Sequence, residues 1–362
     1  MTHEQARALF PVLREVAYLN AGTFGPLAIP VGERLREQLE RDLAAGRGGP
    51  AYIEAMLEAR LELRTRVANL LETTPEHISL TSSTTDGCNI VLAGLDLSPD
   101  DEIVTTDAEH FGLAGPVFAS GATVRVARVE GRPAADAIDL IAAEVTPRTR
   151  LIAVSHVLWT TGHVIDVHAL RERTRVPVLV DGAQSVGAIP VVVGALDYYT
   201  VSGQKWLGGP EATGALYVRD VDALRVARPG YWAQESFDPG GAYVARDGAI
   251  RFDPGWTPVG ALRGLLEAID LAPVWRFDRI RDLAKRCRDG LAAAGIEVVT
   301  EPGHAGLVTF RARDAAASVA RAWERGVVVR ELPGKGWARA SCGWWNDEED
   351  LDRLVEAVTA PS

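Results

Sequence analysis

Lys205 is one of only three lysines in a chain that otherwise relies on 35 arginines for its basic side chains. It stands in Ser202-Gly203-Gln204-Lys205-Trp206-Leu207-Gly208-Gly209, directly after a short apolar run. A lysine that is partly desolvated at the mouth of a sheet has a lowered pKa and can act as a nucleophile and a base. Lys285 lies in an arginine-rich helical stretch and Lys335 in a Pro-Gly-Lys-Gly turn, so both are predicted to be exposed. The sequence therefore favours Lys205 for any covalent amine chemistry.

Two further segments place polar groups after apolar runs. Asp181 ends the run Val176–Val180, where an unpaired carboxylate is costly to bury and needs a cationic or hydrogen-bonding partner. The hydroxyl-rich segment Thr81–Gly87 precedes a helical run, and free backbone N–H groups at a helix N-terminus can hold a phosphate. Both segments are also typical of ordinary helix N-caps, so each one taken alone leaves both interpretations open.

His110 and Arg339 add two groups with complementary chemistry. The pair His110-Phe111 can stack on a planar ligand or pack in a core, and Arg339 can hold a carboxylate through two parallel hydrogen bonds. A phosphate cradle, a ring stacker, an acid, an amine and an arginine are together what pyridoxal 5'-phosphate requires. Its aldehyde joins a lysine and its ring nitrogen pairs with an acid. The combination, more than any single residue, indicates this cofactor.

These residues follow the strands of a predicted α/β domain. Seven short runs rich in β-branched residues alternate with helical stretches: His77–Thr81, Glu102–Thr105, Thr123–Ala127, Leu151–Ser155, Val178–Asp181, Tyr198–Val201 and Gly214–Val218. The gap before the last run is too tight for a helical crossover, so this strand is predicted to be antiparallel. Ligands of a doubly wound sheet bind at the carboxyl ends of its strands, which is where the candidate residues lie.

A second, smaller α+β domain is predicted from residue 255 onward, after a Gly-, Pro- and Trp-rich segment at 231–258 that is expected to be irregular. The pattern predicts helices at 259–274, 276–294 and 314–325, strands at 297–300, 306–311 and 327–330, and a closing helix at 347–358 capped by Asn346. We therefore assign residues 14–254 to a large cofactor-binding domain, and residues 1–13 and 255–362 to a small domain.

Composition excludes several classes of protein. A formal net charge of −11 argues against binding to nucleic acid, and no run of 18 apolar residues is present to span a membrane. Neither GxGxxG after a strand nor GxxxxGK[ST] occurs, which argues against a nucleotide enzyme. Cys88, Cys287 and Cys342 form neither a disulfide framework nor a CxxC metal site. With no export signal, these features predict a cytoplasmic enzyme without a metal.

The chain resembles the class V aminotransferase group of fold-type I pyridoxal phosphate enzymes over nearly its whole length. The group includes cysteine desulfurases, selenocysteine lyase, isopenicillin-type epimerases and cystine or cysteine C–S lyases. The matching segments are Tyr18-Leu19-Asn20-Ala21-Gly22, Asp181-Gly182-Ala183-Gln184, Ser202-Gly203-Gln204-Lys205, Phe252-Asp253-Pro254-Gly255-Trp256-Thr257-Pro258 and Arg339-Ala340-Ser341. The resemblance implies a seven-stranded, mostly parallel sheet between helices, a smaller C-terminal domain, pyridoxal phosphate and a homodimer.

The resemblance also implies a role for each matching residue. Lys205 would form the Schiff base, Asp181 would pair with the pyridine nitrogen, and Gln184 would hydrogen-bond the ring hydroxyl. His110 would stack on the ring, and Arg339 would bind the carboxylate of a small amino-acid substrate, with Asn20 and Trp159 beside it. The phosphate would be held by Ser83, Thr84, Thr85, Ser202 and Gln204. Thr257 would reach the phosphate of the partner subunit, although Trp256 is an extra residue in its motif.

Two departures distinguish this chain within the group. Desulfurases carry a nucleophilic cysteine before the Arg-x-Ser motif, but residues 327–338 contain none, and Cys342 is expected to be buried on a strand. Trp159 stands where the group has an asparagine. This tryptophan makes the chain most similar to the C–S lyase branch. The implied activity is β-elimination on cystine or a cysteine S-conjugate, giving pyruvate, ammonia and a thiol or persulfide. Class V transamination or epimerisation stays an alternative, while the missing thiol disfavours a desulfurase or selenocysteine lyase.

Overall fold

The computed structural model describes residues 1–360; residues 361–362, the last two of the predicted small domain, lie outside the described residues. The helices are α1 (His3–Arg7), α2 (Ile29–Ala45), α3 (Pro50–Leu70), α4 (Thr84–Gly94), α5 (Phe111–Phe118), α6 (Ala137–Ala143), α7 (Val167–Thr174), α8 (Val259–Leu271), α9 (Arg276–Ala293), α10 (Ala315–Glu324) and α11 (Glu348–Thr359). Within this described part of the chain, no helix combines the length and apolarity needed to cross a membrane.

The strands are β1 (Ala17–Tyr18), β2 (Ile78–Thr81), β3 (Glu102–Thr106), β4 (Thr123–Ala127), β5 (Thr149–Ser155), β6 (Val178–Asp181), β7 (Tyr198–Ser202), β8 (Gly214–Val218), β9 (Gln234–Asp238), β10 (Ala242–Ala245), β11 (Leu307–Arg311), β12 (Val327–Val328), β13 (Arg330–Leu332) and β14 (Trp337–Ser341). Seven of them form the central sheet, in the order β2-β8-β7-β6-β5-β3-β4. β8 pairs antiparallel with β2 and β7, and the other neighbouring pairs are parallel. The α/β fold and the reversed direction of β8 are therefore confirmed.

Both faces of the central sheet are covered. Alternate residues of β5 and β6 enter two separate core clusters: Ile152 and Val180 join one, and Leu151 and Leu179 join the other. A strand that is buried on both sides needs apolar residues at every position, which explains the continuous apolar runs in the sequence. The polar residues that follow such a strand are the first whose side chains do not pack in the hydrophobic core. They therefore mark the edge of the sheet where a ligand can bind.

A smaller antiparallel sheet, β11-β14-β13, lies in the C-terminal part. Its core contains residues of α9 and α11 together with Ala17 and Leu19 from the N-terminal segment. β1 pairs parallel with β12, and Asn20 forms a bridge with Ser341 at the end of β14. The segment around Asn20 is thus fixed against the strand that carries Arg339.

A buried carboxylate anchors the strand that leads into the hydroxyl-rich segment. Asp253 is fully buried and bonds to Arg60 at 2.5 Å and Arg64 at 2.9 Å. It also accepts hydrogen bonds from the hydroxyl of Ser79 at 3.0 Å and from the backbone N–H of Leu80 at 2.9 Å. Because two buried arginines offset one buried carboxylate, the cluster ties α3 and the segment before α8 to β2.

Three local predictions differ from the structure. The segment 231–258, expected to be irregular, contains the hairpin β9–β10. Residues 297–300 contribute only a bridge between Val298 and Phe310 where a strand was expected. The cap of α11 is Asp347, whose side chain accepts from the N–H of Asp350. Asn346 does not cap the helix, because its side chain accepts from the N–H of Gly343 and donates to the backbone oxygen of Tyr18.

Helix α8 follows the predicted boundary between residues 254 and 255. It packs against α2 and α3, and Leu262, Leu265 and Ile269 join the core of the central sheet. The division of the chain at this boundary stays a prediction, and α8 is the element that would connect the two parts.

Candidate active site

Lys205 lies just beyond β7, at the edge of the central sheet. Burial lowers its pKa to about 8, opposed by the charge of Asp181 and assisted by those of Arg339 and Arg330. The segment before α2 crosses closely over this loop, because the N–H of Gly25 donates to Gln204 O at 2.8 Å. A Cβ atom at position 25 would lie 2.2 Å from Lys205 O, so only glycine permits this approach. The amine is therefore held in a partly desolvated place where it can lose its proton near neutral pH.

Asp181 ends β6, on the strand next to the one that leads to Lys205. Its side chain is 3% exposed, and its Oδ1 accepts a hydrogen bond from the N–H of Ala183 at 2.9 Å. Gly182, between them, allows the backbone to turn against β7, since a Cβ there would lie 2.2 Å from Thr200 O. The structure thus brings together the acid and the amine that the sequence predicted.

Gln184 follows Asp181 in the loop after β6. Both ends of its side-chain amide already have a hydrogen-bond partner. Its Nε2 donates to Gly22 O at 2.8 Å, and its Oε1 accepts from Nε1 of Trp206 at 2.9 Å. Gln184 therefore ties the N-terminal segment to the loop after Lys205. A bond to a ring hydroxyl stays a prediction, and it would use the second hydrogen of this amide.

The predicted phosphate residues surround the N-terminus of α4. Ser83 is the N-cap and accepts from the N–H of Asp86 at 3.1 Å, while Thr84 and Thr85 open the helix. Ser202 donates to Oε1 of Gln204 at 2.8 Å, so these two side chains orient each other. The first amides of an 11-residue helix, with hydroxyls beside them, have the donor chemistry that a phosphate needs. This donor set fits a phosphorylated cofactor.

The rings of His110 and Trp159 pack directly against each other, edge to face. Their ring centroids are 5.1 Å apart at 86°, and Nδ1 of His110 accepts from the N–H of Gly112 at 3.0 Å. Burial lowers the pKa of His110, and the charge of Lys205 lowers it further, which favours the neutral ring that stacking needs. The buried Nε1 of Trp159 has no hydrogen-bond partner among residues 1–360. That donor is available for a bound molecule.

Arg339 lies on β14 and is 1% exposed. One Nη donates to Trp159 O at 2.6 Å, and its Nε has no partner among the described residues. Burial lowers the pKa of this guanidinium to about 9, and the charge of Arg330 contributes in the same direction. A buried cation without a carboxylate is costly unless an anion completes the site. The expected position for a substrate carboxylate is therefore beside this side chain.

Arg330 is a candidate site residue that sequence reasoning missed. It pairs with Arg339 across the β13–β14 ladder, and its Nη1 donates to Oγ1 of Thr23 at 3.2 Å. Thr23 in turn donates to Oδ1 of Asn20 at 2.8 Å, which places Asn20 in the same network. The spacing of two arginines on either side of a Pro-Gly-Lys-Gly turn was the available signal. Two adjacent guanidiniums near Lys205 can hold two anionic groups.

Glu109 is a second residue that sequence reasoning missed. Its Oε1 accepts from Thr106 at 2.7 Å, and its Oε2 accepts from the N–H and the hydroxyl of Ser155 at 3.0 and 2.5 Å. Ser155 lies beside Asp181 in the β5–β6 register. Burial raises the pKa of Glu109 to about 7, against the hydrogen bonds that lower it. The carboxyl group joins the ends of β3 and β5 immediately before His110.

Thr257 is the predicted phosphate residue that the structure does not bring to this site. It lines a separate cavity of about 640 Å³ with Trp256, Tyr52 and Met56. None of the residues lining this cavity is a predicted site residue other than Thr257 itself. The placement agrees with the expectation that Thr257 acts in a second copy of the chain, and that role stays a prediction.

One cluster outside the site, His163, Glu301 and His304, brings its potential metal-ligand atoms within 4.8 Å of one another. The N–H of Val164 donates to Nδ1 of His304 at 3.0 Å, so the neutral ring carries its own proton on Nε2. That proton points toward Glu301, whose Oε2 lies 3.9 Å away. A proton thus occupies the ring position that a metal would need.

Comparisons with known proteins agree on one family. The family model described as aminotransferase class-V matches residues 18–354. A cysteine desulfurase of Enterobacter sp. (strain 638) is 31% identical over 98% of this chain and 97% of its own. An isopenicillin N epimerase of Amycolatopsis lactamdurans is 30% identical over 95% and 94% of the two chains. The solved complex of the cystine C–S lyase C-DES with its product cysteine persulfide is 29% identical, with a TM-score of 0.90, over 97% of this chain and 99% of that one.

Proposed function

The chain belongs to the class V aminotransferase family of pyridoxal phosphate-dependent enzymes, and from that premise we propose that it is a carbon–sulfur lyase. The observation that carries the proposal is the burial of every thiol. Cys88, Cys287 and Cys342 are all 0% exposed. Burial raises the pKa of Cys88 well above its usual range, which makes it a poor nucleophile. A desulfurase must accept sulfur on a mobile thiol, whereas an eliminating lyase releases the sulfur with its substituent.

The cofactor is pyridoxal 5'-phosphate, and the residues at the strand ends fit it. When bound, this group supplies an electron sink for the carbanion that forms at the substrate Cα. In our assignment Lys205 binds the cofactor aldehyde and Asp181 keeps the ring nitrogen protonated. The N-terminus of α4 holds the phosphate together with Ser202 and Gln204.

Two arginines support the substrate class that we propose. In our assignment Arg339 binds the α-carboxylate, and Arg330, next to it on the hairpin, binds a second anionic group. Neither guanidinium forms an ion pair with a carboxylate among residues 1–360. Cystine carries two carboxylates, one on each half, so it matches this pair better than cysteine does. We therefore propose cystine first and anionic cysteine S-conjugates second.

The reaction requires one base and one good leaving group. Lys205, released from the cofactor aldehyde when the amine of the substrate takes its place, would remove the Cα proton, and its lowered pKa of about 8 in the protein without cofactor favours the neutral, basic amine. The Cβ–S bond then breaks, and its electron pair leaves with the sulfur as a thiolate or persulfide. The remaining three-carbon fragment hydrolyses to pyruvate and ammonia. No protein thiol takes part in these steps.

Homodimer formation is part of the proposal. The cavity that contains Thr257 is lined by α2 and α3, and these helices carry exposed apolar residues: Leu39, Leu43, Ile53, Leu57 and Leu61. An apolar stripe of this kind is typical of a protein interface. Sedimentation of the purified protein at two concentrations tests this point, and a monomer at both would contradict it.

The decisive experiment incubates the purified holoenzyme with L-cystine, L-cysteine and two S-conjugates, and measures pyruvate, alanine and the enantiomers of the amino acid. Pyruvate formation from L-cystine is expected. Alanine would indicate a desulfurase, a D-amino acid an epimerase, and a sulfur-containing keto acid an aminotransferase; each contradicts the lyase. Lys205→Ala is expected to abolish turnover. A variant with all three cysteines replaced by alanine is expected to retain it.

A further inference from the structure

The β13–β14 hairpin carries both substrate arginines, and one of its strands has a neighbouring strand on one side only. β13 has only three residues and pairs only with β14 within the described residues, so it forms the edge of its sheet. Arg330 and Arg339 face each other on this ladder and repel, since the charge of Arg330 lowers the pKa of Arg339. The hydrogen bonds between β13 and β14 alone therefore do not fix these two guanidiniums at a defined distance from Lys205.

The tip of the hairpin is attached to the central sheet. Nζ of Lys335 lies 2.6 Å from both carboxylate oxygens of Glu130, and the two side chains are 25% and 26% exposed. The same Nζ lies 5.8 Å from the ring centroid of Trp337. Lys335 is therefore not the freely exposed lysine that its turn predicted. A partly buried, two-point ion pair over an aromatic ring is stronger than an ordinary surface pair.

Glu130 is itself fixed to the edge of the sheet that forms the active site. The N–H groups of Val129 and Glu130 both donate to Oδ1 of Asp107 at 2.9 Å. Asp107 follows β3 and precedes His110 by three residues. The contacts thus connect the hairpin tip to the segment that carries the predicted ring-stacking side chain.

We propose that the Lys335–Glu130 ion pair positions the β13–β14 hairpin and thereby sets the distance of Arg330 and Arg339 from Lys205. Lys335 and Glu130 are positioning residues, because neither touches the substrate site itself. The inference rests on the proposed function only in that the substrate is an amino acid with one or more carboxylates. Loosening the tip weakens carboxylate binding, while Lys205 keeps its place, because its loop is held by separate contacts such as the Gly25–Gln204 hydrogen bond.

The test uses the holoenzyme and the charge-reversed variants Lys335→Glu, Glu130→Lys and the double exchange. The control is Lys285→Glu, which removes an exposed lysine paired with Asp289. The first readout is amide hydrogen exchange over residues 330–339. The second is the dissociation constant of glycine, followed through the absorbance of the cofactor. Glycine has an α-carboxylate but no sulfur, so it reports carboxylate binding independently of any lyase activity.

Each single reversal is expected to speed exchange in the hairpin and to weaken glycine binding by about tenfold, the scale of one lost charge pair. The double exchange is expected to restore both, and the control to change neither. In the active enzyme, KM for cystine rises in the single variants while kcat stays within about twofold. Unchanged exchange, unchanged glycine affinity, or no recovery in the double exchange overturns the proposal. Failure of the wild type to form pyruvate overturns the proposed function instead, since the glycine and exchange results are obtained without it.

Discussion

The lowered pKa of Lys205 gives a prediction that the three-lysine composition makes easy to test. Its value of about 8 means that about a quarter of the amines are neutral at pH 7.5, against about one in a thousand for an ordinary lysine. In protein freed of cofactor, an amine-selective reagent therefore labels Lys205 with a midpoint near pH 8. Lys285, whose side chain is 72% exposed, is the internal reference for an accessible amine.

Two charge variants test whether neighbouring charges shift the pKa of Lys205 in the expected directions. Asp181→Asn removes the charge that raises the pKa of Lys205, so the labelling midpoint falls below that of the wild type. Arg339→Gln removes a charge that lowers it, so the midpoint rises. The assay is mass spectrometry of the Lys205 peptide after brief labelling across pH 6 to about pH 11, a range that spans the ordinary lysine value. A wild-type midpoint above pH 10, or the opposite order of the two variants, would refute the electrostatic reasoning.

Three further outcomes are expected. Asp253→Ala leaves two arginines buried without a carboxylate and lowers the free energy of unfolding by about 3–5 kcal/mol in urea, whereas Asp270→Ala, at an exposed pair, costs less than about 1 kcal/mol. Cys342→Ala keeps kcat within about twofold in the pyruvate assay, because an inert buried thiol does no chemistry. Glu109 binds its proton more tightly when the apoprotein is folded, so its contribution to stability is lost as pH rises from 4.5 to about 7. In thermal melts across this window, Glu109→Gln is therefore expected to lose less stability with rising pH than the wild type.

Residues that follow buried strands could be predicted from the sequence. Asp181 comes directly after an apolar run, and Lys205 follows the next one after Ser202-Gly203-Gln204; the nearby Gly182 and Gly203 mark close backbone approaches. The strands themselves were predictable because burial on both faces leaves a local signal at every position. Both residues lie where the pattern placed them, with the acid at the end of β6 and the amine just beyond the neighbouring strand β7.

Residues whose roles depend on strand register or on distant partners could not be predicted. Arg330 matters because β13 pairs it with Arg339, and Glu109 because β5 places Ser155 beside Asp181. Lys335 looked exposed because its partner, Glu130, is 205 positions away. No local pattern encodes such contacts. For Thr257 the role implied by the resemblance involves a second copy of the chain, and it stays a prediction.

The pairing of β1 with β12 affects the order in which the segments of this chain can fold during synthesis. The strands of the central sheet all precede residue 219, so they can associate while synthesis continues. Residues 17–20 must wait without their partners until β12 and β14 emerge, which happens only after the whole central sheet has been synthesised. Lys205 and Asp181 are therefore synthesised before the N-terminal segment that approaches the Lys205 loop can pair with β12 and β14. We expect the cofactor to be captured late, after β12 and β14 have emerged and paired with this segment.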